Sequence, residues 1–546
     1  MPARQPPQSI PLPRLSRRTL LGFGAIGFGV AAAPLAAQVG KGFTHGIASG
    51  EPAAKSVLLW TRYVGSGATR LRYELSETAD FARVAGGGSV TAAHGRDWCA
   101  KAVATGLKPG TWYHYRFIAP DGTMSATGRT RTLPQEKTDR FRMAVFSCSN
   151  LGFGHFNAYA HAAQDDAFDL AVHLGDYLYE YERGNYPTDK QVVDGRYPDP
   201  ASEMVHLADY RLRYASYRRD PDLLRLHQLF PMVSVFDDHE SANDSWKGGA
   251  QNHSPETEGP WSARVRAAMQ ARSEWMPVSD APWAQYEIGD LATLFRLETR
   301  LTARDKPLDL AGVTKGLAPD AYGPALEAFR TGAWADAKRT LLGSKQERWL
   351  SGAMAKSARS GRKWQVLAQQ IVMGRLRSPP DLLDRLPEGT PDFVRARVGP
   401  AVAASSAGLP FSMDTWSGYP AARERLLGAA RDADANLVVL SGDSHNAWAC
   451  ELAGAGVEFA GQSVTSPGFE GYFGFMKPAD LAGSLVAANT ELKWTDTARR
   501  GYMAVELTPQ AAACEWRFTD SVRARSSGLA DTHRMVAAHG ARRFTP

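Results

Sequence analysis

Four apolar segments of this sequence each end in a side chain that can bind a metal ion. One of them runs into Ser-Gly-Asp-Ser-His, which places Asp443 and His445 two residues apart. The other three segments lead to Cys148, Asp176 and Asp238. Thiolate, imidazole and carboxylate groups are common metal ligands in proteins. Four segments of this construction in one chain indicate a metal centre.

The ligand types predict two cations of different character. The thiol of Cys148, the phenol of Tyr179 and the imidazole of His445 form a mixed set that favours a transition metal. The carboxylates of Asp176 and Asp238 suit a second, harder divalent ion, and Asp176 could bridge both ions. Two adjacent cations would polarise a phosphoryl group and lower the pKa of a shared water. Hydrolysis of a phosphate ester is therefore the reaction that we predict.

Two further side chains could act on the substrate directly. His239 could stabilise transition-state charge or protonate the leaving oxygen. Arg300 could clamp a phosphate oxygen, because a guanidinium group matches that geometry. In the same region, Asn243 and Asp244 fit a metal shell and a simple turn equally well. Asp237 is expected to organise the backbone rather than to bind metal.

The four apolar segments are predicted to be strands of an α/β domain. An uninterrupted apolar run closed by small residues is typical of a strand that is buried on both faces. Open α/β sheets place their ligands beyond the carboxyl ends of such strands. Between residues 140 and 520 strand and helix patterns alternate, which predicts layers of sheets and helices. Within this domain, residues 211–229 are predicted as one helix, and residues 375–410 as a loop-rich segment that could cover the site.

The segments before and after this domain differ from it in pattern. Residues 41–134 contain short strand patterns separated by Gly and Pro turns, which predict a small all-β domain of the immunoglobulin or fibronectin III type. Residues 1–40 place Arg17 and Arg18 before an apolar run, which favours a twin-arginine signal peptide over an uncleaved anchor. The basic tail, residues 521–546, could form a helix over the site. We therefore expect export to the periplasm or the extracellular space.

The composition narrows the class of protein further. The chain has 546 residues and a net charge of +6, without a dense basic tract beyond its amino terminus. Specific nucleic-acid binding is therefore not expected, and the mildly basic charge suits anionic substrates and ordinary solubility equally. The four cysteines are too few for a disulfide framework, so we expect buried free thiols.

Several motifs resemble those of the PhoD-type alkaline phosphatases and phosphodiesterases. They include Ser147-Cys148-Ser149, Gly175-Asp-Tyr-Leu-Tyr-Glu-Tyr181, Asp237-Asp-His-Glu240, Asp414-Thr-Trp-Ser-Gly-Tyr-Pro420 and Ser441-Gly-Asp-Ser-His445. The resemblance covers nearly the whole mature chain. One departure is Glu298, which stands where we expect Asp in an Asp-Thr-Arg motif. The fold that the resemblance implies is a layered metallophosphoesterase-type β-sandwich flanked by helices, preceded by the all-β domain.

The resemblance also implies an exported enzyme with ferric iron (Fe3+) and calcium (Ca2+) in its site. By motif position the iron ligands would be Cys148, Asp176, Tyr179 and His445. Asp176 would bridge the ions, Asp238 would lie on the calcium side, and Asp443 would support the same centre. A metal-held hydroxide or oxo group would attack phosphorus, in monoesters and in diesters.

Two alternatives stay open at this point. A related branch of the family resembles an iron-dependent phospholipase D, which would also cleave a phosphodiester. A non-catalytic secreted binding protein would use the β-sandwich as its working part, although every expected ligand type is present in this chain. The expected partners are small-molecule or polymeric phosphate esters and the twin-arginine export machinery, and we expect a monomer.

Overall fold

The computed structural model describes residues 40–390 and 392–545. The expected signal peptide therefore lies, apart from its last residue, outside the described residues. Within these two ranges no helix combines the length and the apolar character that a membrane span requires.

Twenty strands run through the described part of the chain. They are β1 (Gly42–Gly50), β2 (Ser56–Val64), β3 (Thr69–Ser76), β4 (Val84–Ala92), β5 (Cys99–Thr105), β6 (Trp112–Ile118), β7 (Gly128–Arg131), β8 (Phe141–Phe146), β9 (Leu170–His173), β10 (Pro231–Ser234), β11 (Ala284–Ile288), β12 (Ala292–Arg296), β13 (Trp364–Ala368), β14 (Leu437–Ser441), β15 (Ala447–Glu451), β16 (Gly456–Ala460), β17 (Leu492–Asp496), β18 (Gly501–Leu507), β19 (Ala511–Thr519) and β20 (Leu529–Ala538).

Eleven α-helices lie between these strands in the same described ranges. They are α1 (Asn157–Asp165), α2 (Leu207–Tyr217), α3 (Pro221–Leu229), α4 (Pro255–Glu258), α5 (Trp261–Trp275), α6 (Leu310–Thr314), α7 (Tyr322–Phe329), α8 (Gly343–Arg359), α9 (Asp392–Ser406), α10 (Pro420–Asp432) and α11 (Pro478–Ala488).

The amino-terminal region is all-β. Strands β4, β3, β6 and β7 form one antiparallel sheet, and β1, β2 and β5 face it. Leu59, Leu71 and Phe117 are fully buried between the two layers. Strand β1 also pairs in parallel with β10. One layer of this sandwich is therefore continuous with a sheet of the larger domain.

Two mixed sheets face one another in the larger domain. The first has the order β20-β19-β18-β8-β9-β10-β1-β2-β5, with β8, β9 and β10 parallel. The second has the order β11-β12-β13-β14-β16-β15-β17, with β12, β13, β14 and β16 parallel. Val145, Val172, Leu294, Val366 and Leu440 belong to the apolar core between the sheets. The layered α/β architecture predicted from the sequence is confirmed.

Helices cover the outer faces of both sheets. Alternate residues of a strand point to opposite faces, so Val145 enters the core between the sheets while Phe146 packs under α1. The ring of Phe146 lies 5.0 Å from that of Tyr159 in α1. Leu440 and Val439 of β14 divide in the same way between the central core and the layer of α8 and α10. These strands are buried on both faces, which explains their uninterrupted apolar runs.

Three local predictions differ from the structure. The segment 375–410, predicted as loop-rich, contains helix α9 (Asp392–Ser406). The segment 211–229, predicted as one helix, belongs to α2 and α3, because the ring of Pro221 ends the first helix and begins the second. The Asp220 carboxylate caps α3 by accepting from the amides of Asp222 and Leu223 at 2.9 and 3.1 Å. The tail, considered as a helix over the site, instead forms β20. This strand pairs with β19 and satisfies the backbone hydrogen-bonding groups on its outer edge.

Candidate metal centre

The candidate ligands lie on loops that leave the carboxyl ends of four strands. Cys148 follows β8, Asp176 follows β9, Asp238 follows β10, and Asp443 and His445 follow β14. Four of these residues, all but Asp238, have positive φ angles between 51° and 64°. Non-glycine residues rarely adopt this conformation, which costs about 1–3 kcal/mol each and recurs at functional sites. The surrounding structure therefore holds these loops in strained turns.

Three overlapping groups of side chains could each hold a cation, with ligand atoms within 4.8 Å of one another. They are Cys148 with Asp176 and His445, Asp176 with Asp238 and His239, and Asp237 with Asp238 and Asp443. Because Asp176 and Asp238 each belong to two groups, the three form one continuous cluster.

Tyr179 completes the first of these groups. Its hydroxyl donates to Asp176 Oδ2 at 3.0 Å and lies 3.2 Å from His445 Nε2. The side chain is buried. The structure therefore brings the predicted thiol, phenol, carboxylate and imidazole groups together at one point.

Three carboxylate oxygens in this cluster are buried and have no hydrogen-bond partner. They are Asp176 Oδ1, Asp237 Oδ2 and Asp238 Oδ1, and the last of these has an ion-pair contact with Arg300 Nη2 at 3.4 Å. A buried polar atom without a hydrogen bond costs free energy, and the cost is larger for a charged group. Oxygens of three carboxylates that lie together and accept no hydrogen bond would be satisfied by cations. The residues present therefore fit a metal centre.

Burial and two cationic neighbours, Arg300 and His239, shift the pKa values of the carboxyl groups. Burial raises the pKa of Asp176 well above its usual range. Burial also raises the pKa of Asp443 to about 7, against the opposing attraction of Arg300. For Asp238 the attraction of Arg300 and His239 outweighs burial and lowers the pKa to about 2. The cluster thus holds protons that a cation would displace.

Burial favours the neutral forms of both the thiol and the imidazole of the first group. Burial raises the pKa of the Cys148 thiol and lowers the pKa of His445 to about 3. His445 Nδ1 lies 2.8 Å from the Pro467 carbonyl oxygen, so Nδ1 donates the hydrogen bond and Nε2 keeps its lone pair. A neutral imidazole with an outward lone pair is the form that binds metals.

His239 is held as a cation at the edge of the cluster. Burial would lower its pKa, but Glu180, Asp176 and Asp238 outweigh this effect and raise the pKa well above the usual value. His239 Nδ1 donates to Glu180 Oε2 at 2.7 Å, and the ring lies 4.2 Å from that of Tyr179. Glu180 is fixed in turn by the amide of Asn243 at 2.7 Å. Nε2 of an imidazolium is thereby directed toward the cluster.

Arg300 lies among the acidic groups of the cluster. Its Nη1 donates to Asp414 at 2.7 Å and its Nη2 to Asp443 at 2.8 Å, while Nε donates to Asp237. The guanidinium group is 0% exposed. Every guanidinium nitrogen faces a carboxylate in this arrangement, and the phosphate clamp stays a prediction. Arg300 fixes the carboxylates relative to one another.

Several residues of the site were not predicted as ligands or supports. Asp237, assigned to backbone organisation alone, contributes an oxygen to the third group. Glu240 accepts hydrogen bonds from the amides of Asp176 and Tyr177 at 3.1 and 2.6 Å and thereby fixes the turn. Asp244, left open between shell and turn, donates its amide to Asp238 Oδ2 at 2.6 Å. All of these residues lie in acidic stretches next to the predicted ligands, where spacing alone does not separate roles.

Comparison with known proteins agrees with this architecture. A sequence model of the PhoD-like phosphatase family matches residues 143–516, and a model of the amino-terminal domain of PhoD-like phosphatases matches residues 29–134. Alkaline phosphatase D of Bacillus subtilis (strain 168) is 31% identical over 508 residues, which cover 87% of this chain and 77% of that protein.

A solved structure of PhoD superposes with a TM-score of 0.74 at 27% identity, and the match covers 96% of this chain and 94% of that chain. Fold, acidic cluster and sequence relatives agree with one another. The chain therefore belongs to the PhoD-like phosphatase family and is an enzyme, a phosphoric ester hydrolase of the alkaline phosphatase D type.

Proposed function

We propose that this phosphatase hydrolyses phosphate monoesters and diesters at a centre that holds one ferric and one calcium ion. The observation that carries the proposal is the set of three buried carboxylate oxygens that accept no hydrogen bond, beside a thiol and an imidazole. Oxygen atoms alone would suit a hard divalent ion, whereas a thiol and an imidazole point to a transition metal. The mixed cluster thus favours two different cations.

The donor types divide the cluster between the two ions. Cys148, Tyr179 and His445, with Asp176, would hold the iron, because they supply sulfur, nitrogen and phenol oxygen. Asp238 would hold the calcium, supported by Asp443. Asp176 belongs to groups on both sides and would bridge the ions. When bound, the two cations would polarise the phosphoryl oxygens and lower the pKa of a water between them.

His239 would act on the leaving group. Against the effect of burial, the carboxylates of Glu180, Asp176 and Asp238 raise the pKa of this residue and so favour a proton on Nε2. Glu180 holds the opposite ring nitrogen at 2.7 Å and fixes the direction of that proton. The residue could protonate an alkoxide leaving oxygen or stabilise charge on the phosphoryl group, as general acids and preorganised donors do.

Arg300 would act through the carboxylates that it binds. Its contacts with Asp237, Asp414 and Asp443 join the loop after β10 to two loops of the second sheet. By neutralising part of the acidic cluster, the guanidinium group would allow several carboxylates to stay close before the cations bind.

We also propose that the enzyme is exported through the twin-arginine pathway to the periplasm or beyond. The support is the pair Arg17 and Arg18 followed by an apolar run. This pathway carries folded proteins, which suits a centre that is filled before export. Substituting both arginines by lysine should retain the enzyme in the cytoplasmic fraction, and unchanged export of that variant would contradict the proposal.

The central experiment combines metal analysis with turnover in Asp176→Asn. Loss of the bridging carboxylate should abolish both iron retention and hydrolysis of p-nitrophenyl phosphate, because the two ions share this side chain. Asp220→Asn is a control, since Asp220 is also buried but caps α3, pairs with Arg196 at 2.8 Å and belongs to none of the three ligand groups. It should keep its metal and its turnover.

The outcome also separates the finer alternatives. Full activity of Asp176→Asn would remove the proposed centre. A panel of p-nitrophenyl phosphate, bis(p-nitrophenyl) phosphate and phosphatidylcholine then decides between a phosphatase with diesterase activity and a phospholipase D-like enzyme. Choline release that exceeds hydrolysis of the other two esters would favour the phospholipase.

A further inference from the structure

Residues 462–470, which we name the strap, contain no predicted metal ligand but contact three of the ligand-bearing loops. The amide of Val464 donates to the Ser147 carbonyl oxygen at 2.9 Å, next to Cys148. The hydroxyl of Thr465 donates to the Asn150 carbonyl oxygen at 2.7 Å. Pro467 accepts the hydrogen bond from His445 Nδ1 at 2.8 Å. The strap therefore ties the loop after β8 to the loop after β14.

Ser466 is the strap residue that reaches a candidate ligand atom with its own side chain. Its Oγ lies 2.8 Å from Tyr179 Oη and 3.2 Å from the Cys148 carbonyl oxygen. The residue is fully buried, and the hydroxyl of Ser463 donates to its carbonyl oxygen. The position of Ser466 is thus fixed by the hydrogen bond to its carbonyl oxygen and by the packing around its buried side chain.

The direction of the hydrogen bond follows from the partners of Tyr179. The Tyr179 hydroxyl donates a hydrogen bond to Asp176, so its oxygen can accept one from Ser466. A phenolate bound to a metal has no proton left and can only accept. A serine hydroxyl has one proton to give, and a charged acceptor binds it more strongly than a carbonyl oxygen. The contact should therefore strengthen when the centre is loaded.

We propose that Ser466 is a positioning residue that donates a hydrogen bond to the phenolate of Tyr179 and sets its strength as a metal ligand. The inference rests on the proposed function, in which Tyr179 binds the ferric ion. Groups that hydrogen-bond to metal ligands orient those ligands and tune the metal. Here the hydrogen bond withdraws electron density from the phenolate oxygen and fixes the ring.

The visible spectrum reports this hydrogen bond independently of turnover. A phenolate on ferric iron absorbs visible light by transfer of an electron from the ligand to the metal. Loss of the Ser466 donor raises the energy of the phenolate electrons, so Ser466→Ala should move the band to longer wavelength. The hydrogen bond also fixes the Tyr179 ring, and loss of a group that orients a ligand typically weakens metal binding by about 10-fold to 100-fold. Iron retention against a chelator should therefore fall by that factor, although the phenolate becomes a stronger electron donor.

Two further variants separate the hydrogen bond from general loosening of the strap. Thr465→Val removes a strap hydrogen bond of similar length that ends on a backbone carbonyl, so its spectrum should equal that of the wild type. Ser466→Thr keeps the hydroxyl and should restore the wild-type band. Thermal unfolding of each variant shows that the fold is intact.

The spectra test the role of Ser466 separately from the ligation of iron by Tyr179. An unchanged band in Ser466→Ala, or an equal shift in Thr465→Val, would overturn the role of Ser466 while leaving the centre intact. Iron-loaded wild type without any visible phenolate band would overturn the proposed ligation by Tyr179, and the role of Ser466 with it.

Discussion

Replacing Arg300 by methionine tests whether this residue organises the centre or clamps the substrate. Nη2 of Arg300 lies 2.8 Å from Asp443 and 3.4 Å from Asp238, and Nη1 lies 2.7 Å from Asp414. The guanidinium group is entirely buried. Removing one partner of a buried ion pair costs about 3–5 kcal/mol, because the remaining charges stay buried without compensation. The carboxyl groups left without Arg300 can take up protons and become neutral. This keeps the loss in the free energy of unfolding within the same range.

The expected result is a loss of about 3–5 kcal/mol in the free energy of unfolding of the metal-free Arg300→Met variant. The assay is urea unfolding of chelator-treated protein, repeated with the metals added back. Added cations replace the lost positive charge, so metals should stabilise the variant more than they stabilise the wild type. Arg300→Lys keeps the charge but lacks the planar fork, and should fall between the two.

Arg264→Met is the matched control for this experiment. Arg264 is equally buried and pairs with Glu203 and Glu258 at 2.6 and 2.7 Å, and neither partner is a candidate metal ligand. Its loss should destabilise the protein without any extra rescue by metals. A loss below about 1 kcal/mol in Arg300→Met, the scale of an exposed pair, would refute the organising role. A raised KM of Arg300→Met, together with unchanged stability of the metal-free variant, would instead support the prediction that Arg300 clamps the substrate phosphate.

Three further predictions concern the proton on His239, the protons of the carboxyl cluster and the approach of the loops. His239→Gln should lower kcat by about 10²-fold to 10⁴-fold on alkyl phosphates but much less on p-nitrophenyl phosphate, whose leaving group needs no proton; equal losses on both would exclude a general acid. Because the pKa of Asp443 is raised to about 7, loading the metal-free protein at pH 7 should release protons, and calorimetry in buffers of different ionisation enthalpy measures them. Metal affinity should then fall about tenfold per pH unit below 7 for each displaced proton, and a pH-independent affinity would contradict this. Gly442→Ala would place a methyl group 2.6 Å from the Ser147 side chain, which should cost about 1–3 kcal/mol in thermal unfolding and weaken iron retention.

The strands and the ligand types could be predicted from the sequence because both follow from local rules. Uninterrupted apolar runs such as the one before Ser441 occur where both faces of a strand are covered. Side chains that follow parallel strands emerge at the same edge of a sheet. Cys148, Asp176 and His445 could thus be assigned to one site before any coordinates were known, and the structure brings them together.

The roles within the acidic stretches could not be predicted, because they depend on partners that are distant in sequence. Asp237 and Asp238 are neighbours, yet Asp237 pairs with Arg300 and Asp238 accepts the amide of Asp244. Arg300 was assigned to the substrate alone, because its sequence neighbours do not show that it is enclosed by carboxylates from two sheets. The strap carries no ligand of its own, so no pattern of ligand types could indicate Ser466.

The same physical reason explains why glycine precedes both Asp176 and Asp443. Each ligand loop must approach a loop from another strand more closely than a side chain allows. A Cβ on Gly175 would lie 2.4 Å from Cβ of Asp237, and a Cβ on Gly442 would lie 2.6 Å from Cβ of Ser147. The first contact joins the loops after β9 and β10, and the second joins the two sheets. The glycine of each Gly-Asp pair therefore allows the following carboxylate to come within reach of one centre. This is why a glycine stands directly before each of these two aspartates.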